Sequence, residues 1–218
     1  MRALLLSVLF SLGMLSAFGQ DTLSVKSVME KIPEKMIPYL DYAQITELCK
    51  FANLRDSMKV KNVLNGNTYV DSISDSFMKV HLNDVSEIEL KLLPLNDSTK
   101  VICMIKSYNS PVMESIIKFY STEWRSVESS LGLPDMTDAE AVLSAFTQKP
   151  DTMTLSRYNE LKKYIEPVAV SACFSDKDEN TITFTVSMPM LNKEDTKAVK
   201  DIIKQKSFKW INGSFKEC

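Results

Sequence analysis

The chain has 218 residues, and its 26 basic and 28 acidic side chains give a formal net charge of −2. Because 44% of the residues are hydrophobic, the composition excludes a disordered chain, and five glycines with eight prolines are too few for a fibrous or linker-rich protein. The balanced charge leaves no basic field for nucleic acid and no polybasic membrane patch, so we expect a globular protein without a nucleic-acid partner.

The first 19 residues have the layout of a cleavable secretory signal. Arg2 supplies a short basic start, residues 3–17 form an apolar core, and Ala17 and Gly19 are the small residues before a cleavage site ahead of Gln20. The apolar core is shorter than the roughly 20 residues that span a bilayer. No later segment qualifies, so we expect no transmembrane segment in the mature chain. We predict cleavage near Gly19–Gln20 and export to the periplasm or the cell exterior.

The mature chain is predicted to begin with two helices and a β-hairpin. Ser24 and Asp41 precede apolar residues at helical spacing and are favourable N-caps. Residues 58–64 and 68–73 have the composition of strands. The Asn65–Gly66 pair between them predicts a type I′ turn, because both residue types adopt positive φ readily.

A second hairpin follows, with the sequence KLLPLNDSTKVICMI at 91–105. In the first strand and just before it, Glu89 and Lys91 alternate with apolar residues. Residues 101–105, in the second strand, are apolar on both faces. Strands that are apolar on both faces are covered on both sides of their sheet. We therefore expect 101–105 to lie centrally.

The second part of the chain is predicted to mix helices with fewer strands. Thr137–Glu140 match a capping box, and Thr154 and Asn192 begin two further helical patterns. A hairpin at 168–188 repeats the outline of the earlier one. A closing strand at 207–215 contains an Asn-Gly turn.

These elements predict an α+β fold that is mainly antiparallel sheet, with helices packed on a face. We expect a signal peptide at 1–19 and a single domain at 20–218. The repeated hairpin suggests two related halves, at 20–132 and 150–218. The alternative is that antiparallel hairpins resemble one another without a common origin.

Four cysteines lie in the mature chain, at Cys49, Cys103, Cys173 and Cys218. An oxidising compartment permits disulfides, but four cysteines allow three pairings and the sequence does not choose among them. Cys103 and Cys173 lie in apolar strands, where a thiol also serves as a small buried hydrophobic group. The chain has no C-x-x-C motif, which leaves a redox or zinc motif without support.

Catalytic and metal-binding patterns are weak. His81 is the only histidine, and no serine lies in a nucleophile elbow, so we expect a partly exposed strand histidine and not a catalytic base. The acidic turn at 176–180 mimics the start of a calcium loop, but Thr181 stands where that loop needs glycine. We therefore expect a solvated acidic turn, no catalytic residues, no metal and no cofactor.

A short pattern, Asp followed by Ser or Thr and then Ala, Ile, Leu, Val, Met or Thr, recurs five times in the chain. It resembles the acceptor motif of general O-glycosylation systems of Bacteroides-type bacteria, which act on exported proteins. Asp-Ser and Asp-Thr also favour turns and helix caps, and both interpretations stay open. The modification candidates are Ser57, Ser72, Ser98 and Thr152.

One polar strand face is a candidate binding surface. Residues 181–188 alternate strictly between apolar and hydroxyl side chains, which predicts a half-buried strand with a wet face. The residues of that wet face are Thr181, Thr183, Thr185 and Ser187. Four aromatic residues are either core residues or part of a binding surface: Phe119, Tyr120, Trp124 and Trp210.

The stretch EIELKLLPLNDSTKVICMIKSYNSPVMESIIKFYSTEWRSV, residues 87–127, resembles a family of uncharacterised exported proteins from Bacteroides-type gut bacteria. The shared features are the K-L-L-P-L strand, the D-S-T turn, the V-I-C-M-I strand, a proline, and then F-Y and W. The resemblance implies a location and a fold, and it brings no catalytic or binding residues.

The sequence favours an exported, non-enzymatic protein that binds a protein or glycan partner at the cell envelope. An alternative is an envelope-assembly or inhibitor module that adds a strand to a partner's sheet, which an unpaired edge strand would favour. A lesser alternative is a carboxylate- or thiol-dependent hydrolase. Two facing buried acids, or an exposed cysteine beside a basic group, would favour that one.

Overall fold

The computed structural model describes residues 23–52, 59–176 and 178–218. Within these residues the chain forms five α-helices and eleven strands. The helices are α1 Val25–Met29, α2 Tyr42–Phe51, α3 Ala139–Phe146, α4 Leu155–Lys163 and α5 Lys193–Ile202. The strands are β1 Val60–Lys61, β2 Asn67–Ile73, β3 Phe77–Asn83, β4 Ser86–Pro94, β5 Lys100–Asn109, β6 Met113–Ser121, β7 Ser126–Val127, β8 Val170–Phe174, β9 Thr181–Val186, β10 Lys206–Ile211 and β11 Ser214–Glu217.

The strands form two antiparallel sheets. The larger sheet is a meander in which β1 to β7 lie side by side in chain order, and the smaller sheet has the order β11-β10-β9-β8. This arrangement confirms the predicted α+β fold with mainly antiparallel sheet. The hairpins predicted around 91–105 and 168–188 are β4–β5 and β8–β9.

The large sheet is covered on both faces. Val101, Cys103 and Ile105 of β5 pack in one hydrophobic cluster with the small sheet and with α3 to α5. Ile102 and Met104 face the opposite way and pack in a second cluster with α1 and α2. All five side chains are at most 5% exposed, which confirms the predicted central position of this strand.

The first cluster contains residues of both proposed halves, and each half contributes one of the two sheets. Their origin by duplication stays a prediction. Phe119, Tyr120, Trp124 and Trp210 are each at most 7% exposed, so these aromatic side chains are core residues.

Local capping chemistry sets most helix starts as predicted. Ser24 and Asp41 each accept a hydrogen bond from the third helical N–H, and Asn192 does the same for α5. The capping box expected at Thr137–Glu140 is wrong by one residue. Asp138 is the N-cap of α3, because the Thr137 hydroxyl instead donates to the Asp135 carboxylate.

The two Asn-Gly turns differ. Asn212 and Gly213 both have positive φ (50° and 83°) and join β10 to β11, as a type I′ turn requires. At the first turn only Asn65 is left-handed, with φ 61°, so the type I′ prediction there is wrong. The Asn62 side chain accepts hydrogen bonds from Leu64 and Gly66, and these bonds hold a wider loop.

Strand β8 lies across the strands of the large sheet. Its Ala172 N–H donates to Ser115 Oγ on β6 (2.9 Å), and its Phe174 N–H donates to Glu89 Oε2 on β4 (2.8 Å). Since β5 separates β4 from β6, β8 runs over all three strands. Side chains of the large sheet thus satisfy backbone donors on the outer edge of β8.

Candidate functional site

The predicted modification sites that the structure describes lie on the surface. Ser72 follows a bulge in β2, Ser98 lies in the β4–β5 turn and Thr152 precedes α4, and all three are exposed. Ser57 lies outside the described residues. A glycan acceptor must be exposed, but exposure alone does not show that a residue is an acceptor. Glycosylation at these positions therefore stays a prediction.

The predicted polar face of β9 is present, but its hydroxyl groups have partners within the chain. Thr181 Oγ1 donates to Asp178, Thr183 Oγ1 lies 3.2 Å from Ser207 Oγ, and Thr185 Oγ1 accepts from Gln205. A ligand there must displace or share these bonds. The face stays a predicted binding surface without a cavity to support it among the described residues.

The fourth residue of that face has a different role. Ser187 follows β9, and its hydroxyl donates to the backbone carbonyl of Met113 on β6. This contact closes one end of the edge of β6.

Two charged residues on β4 are buried, which the sequence analysis did not anticipate. The Lys91 side chain is 3% exposed, and its Nζ lies 2.7 Å from Glu179 Oε2 and 3.0 Å from Ser76 Oγ. Glu179 belongs to the acidic turn predicted to be solvated, and its side chain is 44% exposed although it pairs with Lys91. A buried ammonium needs a counter-charge, and Glu179 supplies one.

Glu89 is the second buried charge, and it belongs to a charged corner made of Lys79, Glu87, Glu89 and Cys173. Lys79 Nζ lies 3.1 Å from Glu87 and 3.4 Å from Glu89. Burial raises the pKa of Glu89 above its ordinary value, although the N–H of Phe174 and the ammonium of Lys79 act against the shift. A thiol beside such a cluster of charges is a candidate nucleophile.

The Cys173 thiol is exposed but poorly suited to nucleophilic attack. Burial of part of the side chain raises its pKa. Glu89 raises it further, and the opposing effect of Lys79 is smaller. A reactive cysteine needs a lowered pKa. His81 lies with its Nδ1 3.6 Å from Glu87 and its ring stacked on Tyr69, as a partly exposed strand histidine.

All four cysteines are free thiols in the structure. Cys49 and Cys103 are buried, and burial raises the pKa of Cys49 to about 12 and that of Cys103 well above its ordinary value. These two thiols therefore act as small hydrophobic core groups.

A groove of about 950 Å³ lies beside β6. Its apolar lining includes Ile117, Phe119, Leu133, Val170 and Phe184. Polar side chains stand around this lining, so the groove combines an apolar floor with a polar rim, as binding grooves commonly do.

The groove exists because β7 ends early. Phe119 and Tyr120 pair with Val127 and Ser126, and in that register residues 129 and 131 would pair with Ile117 and Ser115. Instead, the chain leaves β6, and the Leu131 carbonyl accepts a hydrogen bond from Phe215 on β11 (2.7 Å). A gap opens where β7 would have continued.

Strand β6 presents backbone groups to this gap. The Ser121 N–H points to the β7 side, where it donates to Arg125. Because hydrogen-bonding direction alternates along an antiparallel strand, the odd-numbered Ser115 and Ile117 direct their N–H and C=O groups the same way. The opposite edge of β6 is fully paired with β5.

The rim of the groove is acidic. Glu114, Glu128 and Asp135 line it together with one lysine, Lys118. Hydrogen bonds from the Thr137 side chain and N–H lower the pKa of Asp135, so this carboxylate stays ionised at neutral pH. The groove therefore favours a cationic ligand.

Other kinds of site have no support among the residues that the structure covers. No three His, Cys, Asp or Glu side chains within residues 23–52, 59–176 and 178–218 come together as a metal site would require. In the same residues, no helix combines the length and the hydrophobicity of a membrane span.

Comparison with known proteins places the chain in a family. No curated protein matches it. A solved structure, described as a domain of an uncharacterized protein from Porphyromonas gingivalis W83, is similar with a TM-score of 0.70 and 18% identity, covering 88% of this chain and 96% of that one. At this identity the likeness shows the fold alone. The family model described as "Protein of unknown function (DUF3256)" matches residues 17–215, so the chain belongs to that family.

Proposed function

We propose that this protein is an exported, non-enzymatic binding module that takes up an extended segment of a partner polypeptide by strand addition to β6. The observation that carries the proposal is the edge at Ser115 and Ile117, which has no strand partner among the residues that the structure describes and opens onto an apolar groove. The proposed partner is a protein, and the proposed mode of binding is strand addition.

Strand addition uses two kinds of contact. Backbone N–H and C=O groups of an added strand complete the ladder of the edge strand, and alternate side chains enter pockets beside it. In this protein the ladder partners are Ser115 and Ile117. The apolar floor, with Leu133 and Phe184, receives every second side chain of the ligand.

Charge complementarity selects the ligand. The rim carries three acidic side chains and one lysine, and like charges across an interface are unfavourable. The ligand is therefore an extended segment in which apolar residues alternate with basic ones.

The environment of the charged corner supports a non-enzymatic role. The raised pKa of Cys173 opposes a thiolate mechanism. Glu89, the buried carboxylate there, is engaged by Lys79 and by the Phe174 N–H. Export is supported by the signal-like pattern of the first 19 residues.

The proposal is tested with a short peptide that alternates valine and lysine, titrated against the protein by calorimetry. We expect binding, and at least roughly tenfold weaker binding of the matched valine–glutamate peptide. Ile117→Pro removes the outward N–H without touching the β5 ladder and should weaken binding to a similar degree.

Ile117→Ala is the matched control, because it shortens the same side chain but keeps the N–H. This variant should bind the valine–lysine peptide much more tightly than Ile117→Pro does. Equal binding by the two variants, or equal binding of the two peptides, overturns the proposal. Binding of an envelope polysaccharide in place of peptides, with no effect of Ile117→Pro, also overturns it.

A further inference from the structure

A second cavity lies on the other face of the large sheet, beside β5, β6 and the short 3-10 helix Glu34–Met36. Its volume is about 330 Å³, and its walls include Lys35, Lys106 and Lys118 together with Tyr108, Tyr120 and apolar side chains. No carboxylate lines it. Three of its eight lining residues are lysines.

The cavity lysines are not among the lysines that pair with a carboxylate. Lys79, Lys91, Lys206 and Lys209 each form an ion pair with a carboxylate. Within the described part of the chain, none of the three cavity lysines lies within 4.0 Å of a carboxylate oxygen. Their mutual repulsion is therefore not offset locally, and a bound anion would relieve it.

Lys106 is positioned by its surroundings. Its Nζ donates to the Met36 carbonyl (3.4 Å) and lies 5.4 Å from the centroid of the Tyr108 ring. These contacts hold the ammonium at the cavity wall and leave it donors for a ligand, since an ammonium has three N–H groups.

We propose that this cavity binds a small organic anion, a carboxylate or sulfate carried on a sugar-sized ring. The charged group would lie between Lys106 and Lys118, and the ring would lie against the tyrosines. The volume is at the lower end of the range for small-molecule sites. Glu114 is the nearest acid on this face of β6, opposite Tyr108 in the register. It lines the groove and not this cavity.

The anion site and the groove share Lys118 and Ile116, but each also has a lining residue of its own. Lys106 belongs to β5 and lines only the second cavity, whereas Ile117 lines only the groove. A substitution at Lys106 thus tests the anion site, and a substitution at Ile117 tests the groove.

The test uses three probes: glucuronate, glucose 6-sulfate and uncharged glucose, each titrated calorimetrically at low ionic strength. We expect at least one of the two anions to bind and glucose to bind at least roughly tenfold more weakly. Added salt should weaken anion binding. Lys106→Met keeps the apolar stem and should weaken anion binding by roughly tenfold or more.

Lys216→Met is the matched control, because Lys216 is an exposed lysine on β11, outside the cavity. It should bind the anions like the unchanged protein. Circular dichroism verifies that both variants are folded. Failure of both anions to bind, equal binding of glucose, or an equal loss in Lys216→Met overturns the proposal.

Discussion

At the scale of single residues, the most consequential contact is the ion pair between Lys91 and Glu179. The ammonium lies in the interface between the large sheet and the turn that follows β8, with the Phe77 ring 5.9 Å away. The Lys91 side chain is 3% exposed and the Glu179 side chain is 44% exposed. Breaking the pair therefore costs free energy mainly because the buried Lys91 ammonium loses its counter-charge.

Glu179→Gln should lower the free energy of unfolding by about 1–2 kcal/mol, discounted for the exposure of the glutamate. The control is Asp178→Asn, which weakens the exposed pair with Lys209 and should cost less stability than Glu179→Gln. Denaturant unfolding measures both. Adding Lys91→Met to Glu179→Gln should recover stability, since it removes the unpaired cation. Equal costs for the two single variants would contradict this account.

Glu89 should make the free energy of unfolding depend on pH. Burial raises its pKa in the folded state, so the folded protein holds a proton that the unfolded chain releases. Its contribution to stability is therefore present at pH values below the ordinary carboxyl pKa and is lost as pH rises through the folded-state pKa. Above that window the buried carboxylate is a cost.

Glu89→Gln should accordingly gain stability relative to the unchanged protein as pH rises from acidic to neutral. The difference between the two unfolding free energies, measured by denaturant at several pH values, isolates this group. Glu47→Gln, at an exposed position on α2, is the control. A difference for Glu89→Gln that stays flat or falls with rising pH would show that the carboxyl does not titrate as described.

At the scale of elements, the segment between β7 and α3 forms one wall of the groove. It is held to β11 by the hydrogen bond from Phe215 to Leu131 and by the close approach of Gly132 to the same strand. Gly132 has φ +91°, and a Cβ there would lie 2.2 Å from the Phe215 carbonyl oxygen. Only glycine fits both requirements.

Gly132→Ala should therefore lower the free energy of unfolding by at least about 2 kcal/mol, through backbone strain and steric overlap. Gly66→Ala is a milder comparison, because Gly66 lies outside the positive-φ region and its added Cβ would meet a side chain at 3.0 Å. Thermal or denaturant unfolding ranks the two variants. A Gly132→Ala cost no larger than that of Gly66→Ala would count against the described wall.

Elements whose determinants are local could be predicted from the sequence. The caps at Ser24, Asp41 and Asn192 and the turn at Asn212–Gly213 each depend on two or three neighbouring residues. The wider loop at Asn65 was missed because a side chain three residues earlier, Asn62, organises it.

At the scale of the whole molecule, the features missed by sequence reasoning arise where the two sheets meet. The burial of Glu89 and Lys91 depends on β8 and its turn lying across β4. The groove depends on Leu131 pairing with a strand more than 80 residues later. The polarity pattern along one strand carries no information about such contacts, whereas the continuous apolar run of residues 101–105 did predict the doubly covered β5.

Export and glycosylation should each change the mass of the native protein. Cleavage near Gly19–Gln20 should remove the signal-like segment, and glycans at Ser57, Ser72, Ser98 or Thr152 should add mass in discrete steps. Intact-mass measurement of the protein isolated from its native host tests both. A mass equal to the bare mature chain would remove the glycosylation hypothesis, and an uncut N-terminus would remove the export hypothesis.

The central claim is that the edge of β6 receives a strand. Residue-resolved hydrogen exchange, with and without the valine–lysine peptide, tests it most directly. Ile116 directs its N–H to β5 and should exchange slowly in both states, whereas the outward N–H of Ile117 should exchange quickly alone and become strongly protected in the complex. If saturating peptide leaves the exchange of Ile117 unchanged, strand addition at this edge is wrong.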